Sequence, residues 1–117
     1  MTYDVEIVLR DRDYAVTEHV VHTGNEPAAW TDADVEAVLK AILLAIDRVK
    51  NPHAESRYVA LRGFSWIVEP TSGGVVIAIE IPSGAAVAGP FRIDPARLDR
   101  LISRVIAAAR PSRPVVH

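Results

Sequence analysis

No cysteine occurs among the 117 residues, which excludes disulfides and fits a reducing compartment; a cytoplasmic location is the expectation. Long apolar runs are missing as well. The longest, Ala41 to Ile46, falls far short of the roughly 20 residues a membrane span needs. The start, Met1-Thr2-Tyr3-Asp4, lacks the basic residues and apolar stretch of a secretory signal. Excess positive charge is absent too: the net charge is −2, which speaks against a broadly basic nucleic-acid binder. Aromatic residues are few, at 6%. What is present is an ordinary globular composition, 50% hydrophobic and 24% charged, too apolar for extensive disorder. A chain of this length can bury roughly two-thirds of the surface its unfolded form exposes. One domain over residues 1–110 is expected, followed by a Pro/Arg-containing tail, 111–117.

Charge is distributed unevenly. Residues 1–36 carry nine acids against Arg10 and Arg12, a net of −7, whereas residues 92–117 carry six arginines against Asp94 and Asp99, a net of +4. Such asymmetry can mark an acidic and a basic face.

Period-2 alternation dominates the start, with Tyr3, Val5, Ile7 and Leu9 on one side of a strand. Asp11-Arg12-Asp13 reads as a turn, and Tyr14 to Thr23 as the return strand of a hairpin. Thr31 is a good N-cap, with Asp32, Asp34 and Glu36 favourably placed at the positive end of a helix. Val35, Val38, Leu39, Ile42, Ile46 and Val49 give that helix one apolar face, and Asn51-Pro52 stops it. Arg57 to Glu69 is a second strand-rich run. Val75 to Ile81 is the strongest strand, with Val75, Ile77, Ile79 and Ile81 inward. Residues 85–93 read as a loop or a short fifth strand weakened by Gly89-Pro90. Asp94 and Pro95 begin a second helix whose buried stripe is Leu98, Leu101, Ile102, Val105, Ile106 and Ala109. The two helices superpose at an offset of 63 residues, as any two capped amphipathic helices would. The order ββαββα predicts an α+β two-layer sandwich. Its mostly antiparallel sheet has at least four strands, and both helices cover one face.

Local motifs for chemistry are weak. Thr71-Ser72-Gly73-Gly74 leads into a strand rather than a helix, so it reads as a turn and not as a phosphate loop. Gly63-Phe64-Ser65-Trp66 lacks the second glycine and the helix of a nucleophile elbow. His19 and His22 point to opposite faces of one strand, which keeps them from sharing a metal. His22 with Glu18 could form an acid/base pair, although exposed strand residues are the plainer reading. No catalytic, cofactor-binding or metal-ligating residue is assigned, and neither a cofactor nor an enzymatic activity is expected.

Two surfaces stand out. Tyr58, Arg62, Phe64 and Trp66 share one face of the run 57–69 if Val59, Leu61 and Ile67 face the helices. That would place aromatics beside an arginine on the open sheet, a platform for single-stranded nucleic acid. If Gly63 marks a bulge, the phase reverses and Phe64, Trp66 and Val68 enter the core. On the second helix, Arg97, Arg100 and Arg104 form a stripe able to contact an anion. The tail Arg110-Pro111-Ser112-Arg113-Pro114 could dock as an extended peptide.

On a helical wheel Leu44 falls about 180° from Val35, flanked by Ala37, Ala41 and Arg48. The open sheet face adds Val8, Val76, Ala78 and, in one phase, Trp66. The expectation is a small non-catalytic binding or assembly module that self-associates as a homodimer. Its candidate interaction surface comprises Tyr58, Arg62, Trp66, Val76, Ala78 and Leu44. An enzyme without local motif and a single-stranded nucleic-acid binder are the alternatives.

Overall fold

The computed structural model describes residues 1–109. The elements are β1 (Thr2–Leu9), β2 (Ala15–Val21), a short 3-10 turn at Pro27–Ala29 and α1 (Asp32–Lys50). They are followed by β3 (Ser65–Thr71), β4 (Gly74–Ile81), β5 (Gly84–Phe91) and α2 (Pro95–Ala109). The five strands form one antiparallel sheet in the order β2-β1-β5-β4-β3. The α+β class and both helices follow the sequence pattern. The tail 111–117 lies outside the described residues.

One face of the sheet is apolar, and both helices lie on it. Tyr3, Val5, Ile7 and Leu9 of β1, Val75, Ile77 and Ile79 of β4, and Ala86, Ala88 and Phe91 of β5 are all buried. They meet Val35, Val38, Leu39, Ile42 and Ile46 of α1 and Leu98, Leu101, Ile102 and Val105 of α2 in a single cluster. Each large side chain withdrawn this way from water stabilises the fold by about 1.5–3 kcal/mol. The helices also touch each other, with α1 covering β1 and β2, and α2 covering β3.

Two segments depart from expectation. Residues 84–91, read as a loop or weak strand, form a full strand at the centre of the sheet. Between the pairs Ile77↔Ala88 and Val75↔Phe91, β4 advances two residues and β5 three. Gly89-Pro90 therefore forms a bulge, which lets Ala88 and Phe91 both face the core. The second departure lies in the run 57–69, where only residues from Ser65 onward are strand. Gly63 adopts φ +77, a conformation open to glycine, and the phase reverses beyond it. Phe64, Trp66 and Val68 pack against the core, while Ile67 is 53% exposed on the opposite face. Thus Trp66 does not belong to the open face.

Candidate interaction surface

The strand register dictates which residues share the uncovered face. Ala15 pairs with Val8, Val8 with Ala85, and Ala85 with Glu80. One row further, Glu6 pairs with Val87, Val87 with Ala78, and Ala78 with Ile67. A third row brings Asp4 beside Gly89, and Val76 beside Glu69. The apolar residues Val8, Ala85, Val87, Ala78, Val76 and Ile67 therefore run obliquely across four strands. Val8 and Val87 are each more than 40% exposed. Asp4, Glu6, Glu69 and Glu80 lie around them, with His19 hydrogen-bonded to Asp4. A shallow groove of about 170 Å³ runs along the stripe where Ala78 and Ala85 leave room between Ile67 and Val87.

The sequence-derived candidates separate in space. Val76 and Ala78 lie on the open face, each partly buried by neighbours. Tyr58 and Arg62 lie in the loop between α1 and β3, where Tyr58 is 90% exposed. With Trp66 turned to the helix side, these three do not form a stacking platform on the sheet. Leu44 sits partly buried on α1. The arginine stripe is largely engaged within the chain. Arg97 donates to the carbonyls of Ala28 and Trp30 at 3.1 and 2.8 Å, and Arg104 grips both carboxylate oxygens of Asp32. That grip lowers the pKa of Asp32. Arg100 remains exposed.

A buried polar cluster, unforeseen from the sequence, lies between β2 and α1. His22 pairs not with Glu18 but with Asp34, its Nε2 donating to Oδ1 at 2.9 Å. Glu18 instead faces Arg48 at 4.0 Å. Asp34 also accepts from the backbone N–H and side-chain amide of Asn25, and from the backbone N–H and hydroxyl of Thr31. The Thr31 backbone bond contributes most to holding the Asp34 carboxyl well below the usual carboxylate range. Together Thr31 and Asp34 form a capping box, legible in principle from their three-residue spacing. The His22 partnership spans twelve residues and carries no local signal. Trp30 roofs the cluster at 1% exposure, its indole N–H donating to Asn25 O and its ring tilted against Phe91. Gly24 lies so close that a Cβ there would stand 2.0 Å from Asp34 Oδ1. The acid/base-capable pair is thus occupied in fixing the start of α1.

Among the described residues, no group of three His, Asp or Glu side chains could hold a metal. Nor is any helix among the described residues long and apolar enough to cross a membrane. No protein-family model, curated protein or solved structure matches this chain.

Proposed function

We propose that the protein is a small non-catalytic binding and assembly module that pairs with a second copy of itself through the open face of its sheet. The observation that carries this reading is the oblique apolar stripe Val8–Val87–Ala78–Ile67, which nothing else among the described residues covers. A two-layer domain buries one sheet face, and an apolar second face finds its simplest cover in an identical copy related by a two-fold axis. The small side chains of Ala78 and Ala85 suit close approach of a flat partner. The non-catalytic reading draws support from the His22–Asp34 pair, whose hydrogen-bonding capacity is committed to the helix cap. The lack of cysteine supports a cytoplasmic setting.

Light scattering coupled to size exclusion at micromolar concentration tests the proposal. The wild type is expected at about twice 12.7 kDa, and Val76→Glu or Ile67→Glu at the monomer mass. Leu44→Glu, on the helix side, is expected to leave the dimer intact. A monomeric wild type, or a dimer broken only by Leu44→Glu, would overturn the assignment.

A further inference from the structure

At the end of the sheet where α1 finishes, two turns and the helix end converge on a cleft of about 320 Å³. The β1–β2 turn contributes Arg10, Asp11 and Arg12, the β4–β5 turn contributes Pro82 and Ser83, and α1 contributes Lys50. The Arg10 N–H joins the two turns by donating to Ser83 O at 2.8 Å, and the Arg12 N–H closes the first by donating to Leu9 O at 3.1 Å. Three cationic residues and one acidic residue thus line the same cleft. Arg12 is anchored through Nη1 to the Val49 carbonyl at 3.3 Å, which covers a helix-terminal oxygen that would otherwise repel an anion. Arg10 and Lys50 have no acidic group within 4 Å among the described residues.

The acids closest to hand do not cancel this charge. Asp47 lies near enough to feel Lys50, but Arg57 holds it at 2.7 Å. Glu80 lines the neighbouring cleft on the far side of Arg10 without pairing to it. Leu9 and Pro82 add an apolar wall.

We propose that this cleft binds a small organic phosphate, its dianionic head between Arg10, Arg12 and Lys50 and its carbon body against Leu9 and Pro82. Guanidinium groups present paired N–H donors that match the spacing of phosphate oxygens, and a lysine adds a point charge. Two net positive charges call for a dianion. The volume falls at the lower end of small-molecule sites. Asp11, the acidic residue of the lining, accepts a hydrogen bond from a ligand hydroxyl.

The test is a titration of the whole chain with inorganic phosphate, glycerol phosphate and succinate at constant ionic strength, followed by NMR. Both phosphates are expected to shift the guanidinium N–H signals of Arg10 and Arg12 and the Ser83 amide, saturating in the millimolar range or below. Arg10→Ala and Lys50→Ala should each weaken the affinity by about tenfold, as loss of one charge-assisted contact implies. Arg100→Ala should leave it unchanged. Glycerol phosphate should bind more tightly than inorganic phosphate, through the apolar wall. Three results would overturn the proposal: no saturable shift; shifts centred on Arg97, Arg100 and Arg104; or an affinity indifferent to Arg10 and Lys50. Succinate binding as tightly as the phosphates would overturn the assignment to phosphate.

Discussion

Asp34 is the residue on which most separate demands fall. It closes the capping box of α1, pairs with His22 and ties down Asn25. Replacing it with alanine removes the cap and leaves His22 buried without its acceptor, at an expected cost of about 2–4 kcal/mol. Its lowered pKa also fixes the sign of an acid effect. A carboxyl whose folded pKa lies below its unfolded value of 3.8 favours folding fully above that value. The contribution declines as pH falls through it. Urea midpoints measured between pH 6 and pH 3 should therefore drop more steeply for the wild type than for Asp34→Asn. Parallel slopes would show that Asp34 does not carry the effect. Tyr3 presents the opposite case: its buried hydroxyl has no partner among the described residues, and burial pushes its ionisation up to about 12. The ring earns its place by packing edge-on against Phe91.

At the scale of elements, the strand β3 separates the two faces of the molecule most sharply. Trp66→Ala should cost about 2 kcal/mol in chemical denaturation, because the indole packs on the core from a partly buried position. Ile67→Ala, one residue on, should cost less than about 1 kcal/mol in the monomer. A reversed order would contradict the register. This is also where the sequence was hardest to read. Alternation specifies a face only when the strand's starting point is known, and Gly63 resets it without any change in composition. β5 was obscured for a related reason. Glycine and proline ordinarily weaken a strand, yet here they occupy a bulge that brings Phe91 inward. The helices were legible because their caps and their apolar spacing agree. The His22–Asp34 pair, joining residues from different elements, became visible only with the fold.

For the whole molecule, charge sets how the proposed self-association responds to salt. The open face carries Asp4, Glu6, Glu69 and Glu80 around its apolar stripe, so apposed copies bring like charges together. Screening relieves that repulsion. Self-association is expected to tighten by severalfold when salt is raised from low to moderate concentration, as read by sedimentation equilibrium. A dimer that weakens with salt would point to an opposite-charge contact elsewhere.

The strand order holds one more consequence, concerning how the chain comes into being. β5 lies between β1 and β4, yet it is the last of these five strands to be synthesised. Until residues 84–91 leave the ribosome, β1 has a partner on one side only, and the β3–β4 hairpin has no link to the first. Both hairpins must wait with an unpaired edge exposed, the state in which strands most readily join the wrong neighbour. A nascent chain halted before Gly84 would therefore be the form of this protein most in need of a chaperone.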